Sequence, residues 1–148
     1  MEHELTRVEQ TAVEIMHANC AYDTFAKAAF KRTAMRYLRK LARELDLAPK
    51  QYEVRYNPGG IAVGGDAILH SDNIYISVSP GRDMMFRNKP VLVRAVDDRH
   101  DYEGGTNCFM SYEALVQTQQ AVSFVRRLLA REANHPTTRK GRRLSLAG

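Results

Sequence analysis

The residues best suited to chemistry crowd into one short stretch, Asp97-Asp-Arg-His-Asp-Tyr-Glu-Gly-Gly-Thr-Asn107. Asp97, Asp98, His100, Asp101 and Glu103 offer oxygen and imidazole donors of the kind that hold Mg²⁺ or Mn²⁺. A small metal-dependent phosphoryl-transfer or hydrolytic enzyme is one function such a cluster could support. The same residues also suit a specified, non-catalytic turn. Gly104 and Gly105 permit positive φ, Asn107 can bond local backbone, and Asp101 can accept from Arg99 or Arg94. Metal sites on a sheet usually draw ligands from separate elements, and no partner motif occurs elsewhere in the chain. The structural reading is therefore preferred. If the turn meets a ligand, Arg99, Tyr102 and Asn107 are the expected contacts, with the two glycines letting backbone approach.

The second candidate is cationic. Arg32, Arg36, Arg39 and Arg43 recur at i, i+4, i+7 and i+11, so on a helix they share one face, with Lys40 beside them. Arg126, Arg127 and Arg131 add charge to a later helix, and the C-terminal segment adds more. Faces of this density can track phosphates, which makes nucleic acid, a nucleoprotein complex or an anionic nucleotide the expected partner. A solvated helix face, or one paired with the acidic N-terminal segment, is the plainer explanation. Tyr52, Tyr56 and Tyr75 lie in strand-like runs and could stack bases, but the RNA-recognition glycine and aromatic pattern is missing.

Other chemistries find little support. His17, His70, His100 and His135 belong to no nucleophile motif, and no Gly-x-Ser-x-Gly or Cys–His signature occurs. Gly59-Gly60 and Gly64-Gly65 lack the Gly-Lys-Ser/Thr that a phosphate loop requires, and no cofactor motif is present. Cys20 and Cys108 are the only cysteines, without a Cys-x-x-Cys pair, and read as small hydrophobes.

The elements that must position these residues follow from periodicity. Leu5, Val8, Ala12, Ile15 and Met16 fall at helical spacing, and Thr6 with Glu9 has capping-box form. Asp23 or Thr24 can cap a second helix whose apolar stripe is Phe25, Ala28, Ala29, Met35, Leu38, Ala42 and Leu45. After Pro49 come short strand-like runs: Tyr52–Tyr56, Ile61–Val63, Asp66–His70, Asn73–Ser79, a possible start at Met84–Phe86, and Val91–Val96. Pro90 suits an edge or a strand beginning. Ser111 should cap a last helix running to about Asn134, with Leu115, Val122, Val125, Leu128 and Leu129 inward and Pro136 barring continuation. The expected architecture is α+β: two N-terminal helices, an antiparallel sheet of about four to five short strands and one C-terminal helix. Residues 1–135 are expected to form a single domain and residues 136–148 a disordered basic tail.

Strand, Arg99-x-Asp101-Tyr102-x-Gly104-Gly105-x-Asn107, following an Asn-Pro-Gly-Gly-Ile turn, resembles small uncharacterised proteins of phages and mobile elements. In those proteins Arg-Lys-Asp-Tyr-Thr-Gly-Gly-x-Asn recurs after a strand. The resemblance spans about residues 55–113 and departs at His100, Glu103 and Asp97-Asp98. It implies a genomic setting, such as an accessory or host-interaction protein that inhibits a host system, and assigns no catalytic residue.

Composition bounds these readings. With 148 residues, 44% hydrophobic and 26% charged, the chain can bury a core. Its apolar runs fall far short of a bilayer span, and its acidic start lacks a signal peptide's pattern, so a cytoplasmic location is expected. The net charge of +5 is segregated: residues 1–23 carry one Arg against five acids, whereas residues 24–50 carry eight Lys/Arg against two acids. Three functions follow: a non-enzymatic binder of nucleic acid or nucleotide, the metal-dependent enzyme, or a protein-interaction module whose exposed helix face binds an acidic partner and which forms homo-oligomers through a sheet edge.

Overall fold

A computed structural model describes residues 4–81, 89–98 and 106–134. Met84–Phe86 and the expected tail lie outside the described residues. Helices α1 (Arg7–His17) and α2 (Thr24–Glu44) come first, then a short 3-10 turn at Pro49–Gln51. Strands β1 (Tyr52–Asn57), β2 (Asp66–Ser71), β3 (Ile74–Val78), β4 (Val91–Ala95) and β5 (Cys108–Met110) follow, and α3 (Tyr112–Val116) and α4 (Thr118–Asn134) close the chain. The α+β architecture is as expected. The five strands form a purely antiparallel meander in chain order.

Side chains alternate across the sheet, so one face meets the helices. Ala67, Leu69, Ile74, Ile76, Val78, Val91 and Val93 occupy that face and are all buried. Tyr52, Val54 and Tyr56 of β1 join them at its edge. Opposite them lie Ala12, Val13 and Met16 of α1, Phe30, Ala34, Tyr37, Leu38, Leu41 and Ala42 of α2, Tyr112 and Leu115 of α3, and Val125 and Leu128 of α4. Helix α2 rests on β1 and β2, and α4 rests on β4 and against α2.

Three expectations need correction. The stripe of α2 is rotated from the one read in sequence: Phe25 is 89% exposed and Ala28 is exposed, while Phe30, Ala34, Tyr37 and Leu41 are buried. Val8 likewise faces solvent at 65% and Val13 takes its place inside. Ile61–Val63 is no strand but part of the loop between β1 and β2, flanked by glycines, with Gly65 at φ +82. A Cβ on Gly65 would sit 2.5 Å from the Tyr56 hydroxyl, so neither the backbone angle nor the space admits a larger residue. Finally, the last helix is broken at Gln117, and a three-residue strand, β5, precedes it.

Local chemistry sets the helix ends. Thr6 and Glu9 form the expected capping box, Asp23 accepts from the Ala26 amide, and Ser111 accepts from the Ala114 amide. Helix α2 ends in a Schellman arrangement, with Leu47 N–H donating to the Ala42 carbonyl and Asp46 N–H to the Arg43 carbonyl. Asp46 holds the left-handed position there at φ 61, where glycine is the usual occupant. The two ends of α2 therefore respond oppositely to substitution. Asp23→Ala should cost about 1 kcal/mol through the lost cap. Asp46→Gly should add about 0.5–1 kcal/mol by relieving the left-handed strain and removing an acid from the helix C-terminus. Urea midpoints check both, and an unchanged or lowered midpoint for Asp46→Gly would refute the second.

Candidate functional site

Helix α2 carries its arginines directly opposite its buried stripe. At 100° per residue, Arg32, Arg36, Arg39 and Arg43 fall within about 60° of arc, and their row is about 16 Å long. All four are exposed. Among the described residues, no carboxylate lies within ion-pair distance of any of them; the ion pairs present are Arg55–Glu53 and Arg126–Asp46. The acidic residues of α1 therefore do not neutralise the row: Glu9 is taken up in the capping box, and Glu14 faces solvent. The Arg36 guanidinium lies 5.2 Å from the Tyr37 ring, a cation–π contact that holds it against the helix.

Arg126 and Arg127 are exposed on α4, whose buried stripe turns Arg127 away from the sheet. Arg126 sits at the flank facing α2 and lies 3.7 Å from Asp46, an exposed pair of little energetic weight. Both helices cover the same face of the sheet, so the α2 row and Arg127 project to the same side of the molecule. Arg131 is set apart, donating to the Cys108 sulfur at 3.1 Å.

The sequence reading missed three exposed apolar side chains around the start of α2. Tyr22, Phe25 and Ile61 are 73%, 89% and 67% exposed. The Tyr22 amide donates to the Ile61 carbonyl at 2.9 Å and Lys27 Nζ to the Gly60 carbonyl at 3.0 Å, so the β1–β2 loop is docked beside the start of α2. Phe25 precedes Arg32 by seven residues, a near-integral number of turns, and therefore lies on the same outward line. That spacing was the available signal.

The turn read as a ligand contact joins β4 to β5 rather than a strand to a helix. Arg99, Asp101, Tyr102, Gly104 and Gly105 lie outside the described residues, as does His100. Asn107 is exposed just before β5, Asp98 is exposed, and Asp97 is half-buried after β4. Among the described residues, no three His, Cys, Asp or Glu side chains gather as a metal site. The turn and the arginine row sit on different elements. The row is on the solvent side of α2, whereas Asp98 meets His70 on the sheet face turned away from the helices.

On that second face the register aligns Glu53, His70, Tyr75 and Arg94 across four strands. The Arg94 guanidinium lies 4.7 Å from the Tyr75 ring, and His70 meets the same ring edge-on at 5.1 Å. Tyr75 is thus engaged on this face, while Tyr52 and Tyr56 point to the core side, so the three tyrosines do not form one stacking platform. His70 is fully buried. Burial pushes its pKa below the ordinary 6.5, Arg55 and Arg94 push the same way, and the Asp98 backbone and Glu53 oppose them.

A cavity of about 480 Å³ opens between the α1–α2 turn and the β1–β2 loop, lined by Cys20, Gly64, Gly65, Asp66, Ser79 and Pro80 among others. Several polar groups in and beside it are already engaged. Ser79 Oγ donates to Asp66 at 2.7 Å, and the Tyr56 hydroxyl donates to the Gly64 carbonyl at 2.8 Å. Burial first, and Asp23 second, raise the Cys20 thiol pKa, with Lys27 opposing. The thiol is therefore protonated at neutral pH and is a poor nucleophile.

No protein-family model, curated protein or solved structure matches the chain. Among the described residues, no helix is long and apolar enough to cross a membrane.

His70 yields a pH test. Because its folded pKa is depressed, the unfolded chain binds a proton below pH 6.5 that folded His70 refuses. Its contribution is present above that value and is lost as pH falls through the folded pKa. Wild type should lose more stability between about pH 7.5 and 5.5 than His70→Gln, read from urea midpoints. Parallel curves for the two proteins would rule it out.

Proposed function

We propose that this chain acts by binding, and that the solvent face of α2 binds the phosphate backbone of a nucleic acid. The observation that carries the reading is the row of four exposed arginines, unopposed by carboxylates among the described residues. Guanidinium groups suit phosphate because their planar fork can donate two parallel bonds. Length narrows the ligand class. A row of about 16 Å presents more cations than the phosphates of a mononucleotide can use, and it suits a polymer. Arg127 extends the same side, and Arg126 stands where a bound phosphate would compete with Asp46. The phage or mobile-element setting implied by the Arg99–Asn107 segment is compatible with such a protein, as a binder of nucleic acid or of a nucleoprotein complex.

Fluorescence anisotropy with labelled DNA and RNA oligonucleotides over a salt series tests the proposal. Affinity should fall steeply with salt. The triple variant Arg36→Ala/Arg39→Ala/Arg43→Ala should weaken binding by an order of magnitude or more at roughly 0.1 M salt and flatten the log–log slope by about 2–3. Absent binding, or binding that salt leaves unchanged, would eliminate it.

A further inference from the structure

The α2 row does not begin with an arginine. Its first outward residue is Phe25, 89% exposed, followed by small Ala28 and Ala29 and then Arg32. Tyr22, in the α1–α2 turn, and Ile61, in the β1–β2 loop, are also exposed, and the Tyr22–Ile61 and Lys27–Gly60 bonds hold that loop to the helix start. Tyr22 holds a left-handed backbone at φ 59. Aromatic residues rarely adopt that conformation, and here it buries little of the ring. An exposed aromatic ring, Phe25, thus heads a cationic track along one line of α2.

We infer that the site takes single-stranded nucleic acid, with an unpaired base stacked on Phe25 and the backbone running along Arg32, Arg36, Arg39 and Arg43. The inference rests on the phosphate-binding reading and specifies its ligand. Single-strand binders combine an electropositive track with aromatic faces, because an unpaired base offers a free π-surface whatever its identity. Stacked bases in a duplex offer none to a side chain lying outside the groove. Entry into the groove is hindered by shape. The B-DNA major groove is about 12 Å wide, which an α-helix alone nearly fills. Here α2 is flanked at its start by the loop carrying Ile61 and at its end by α4. A membrane surface fits less well, because a helix lying in the interface buries a whole apolar face. That face of α2 is already spent on the core.

The chain has no tryptophan, so Phe25→Trp supplies a single reporter at the proposed stacking position. The probes are an oligo-dT of about 15 nucleotides, a duplex of equal length, and phosphatidylcholine/phosphatidylserine vesicles. Oligo-dT should quench the Phe25→Trp emission saturably, and Phe25→Ala should lower oligo-dT affinity at least about fivefold while duplex affinity stays unchanged. Circular dichroism should show both variants folded, since the side chain is exposed. Equal oligo-dT affinity for wild type and Phe25→Ala, an equal loss toward duplex, or quenching by vesicles alone would overturn the inference. If the triple arginine variant still abolishes binding in that case, the phosphate-binding reading stands without it. If neither oligo-dT nor duplex binds wild type, both fall together.

Discussion

The orientation of α2 on the sheet is the constraint on which the rest depends. Phe30, Ala34, Tyr37, Leu38, Leu41 and Ala42 are buried along one side of the helix, facing the Leu69 and Ile76 side of the strands. Full burial of each large member is worth about 1.5–3 kcal/mol. Turning the helix by one residue's angle would withdraw part of that stripe and bring a guanidinium toward an apolar face, where an unpaired charge costs several kcal/mol. The outward position of the arginines is therefore a consequence of core packing. The caps at Asp23 and Leu45–Leu47 set where the helix begins and ends, at about 1 kcal/mol each, and have no say in which face is wet.

The same sheet builds two unlike surfaces. Facing the helices it is uniformly apolar. On its other side it aligns Glu53, His70, Tyr75 and Arg94, with Arg55 bonded to Glu53 at 2.8 Å. The cations there are half-buried, one is opposed by a carboxylate, and the other lies over an aromatic ring. Because His70 is held neutral between them, this face gains no charge near neutral pH. It is a mixed surface on which each cation already meets a carboxylate or an aromatic ring. The outer side of α2 differs on each count, being exposed, of one sign and free of carboxylate partners among the described residues. That contrast is why the proposed binding is placed on the helix and not on the sheet.

What could be read in the sequence was what depends on neighbours a few residues away. Thr6 with Glu9, Asp23 and Ser111 are capping residues because their side chains reach amides within three positions, and all three do so. The Ser71-Asp72 turn between the runs Asp66–His70 and Asn73–Ser79 is legible for the same reason, with Ser71 Oγ accepting from the Asn73 and Ile74 amides. The features that escaped depend on distant partners. Cys108–Met110 shows no alternation long enough to announce a strand; β4 makes it one by pairing Met110 with Val91 and Cys108 with Val93. Ile61–Val63 has the right residue types but no strand beside it. Phe25 is the exception: read as part of the apolar stripe, it falls by the same angular criterion among the arginines. The arginine row itself survived intact, because helical period is a local property. For the Arg99–Gly105 turn the structure describes only the flanks, at Asp98 and Asn107.

Charge placement around α2 also determines how the row acts as a unit. Acids bound it at both ends: Asp23 at the start, occupied as a cap, and Glu44 and Asp46 at the finish, held by Gln119 and Arg126. The unopposed cations thus run from mid-helix into the last turn, where Arg43 comes next to the acids. At physiological ionic strength the Debye length is about 8 Å, shorter than the roughly 16 Å from Arg32 to Arg43. On the proposed reading the end members would contribute nearly independently of each other, and each phosphate engaged would release its own counterions. Affinity built this way accumulates with the number of contacts and carries no sequence information. Any selectivity must come from groups that are not arginines, and on this line the only large exposed side chain of that kind is Phe25.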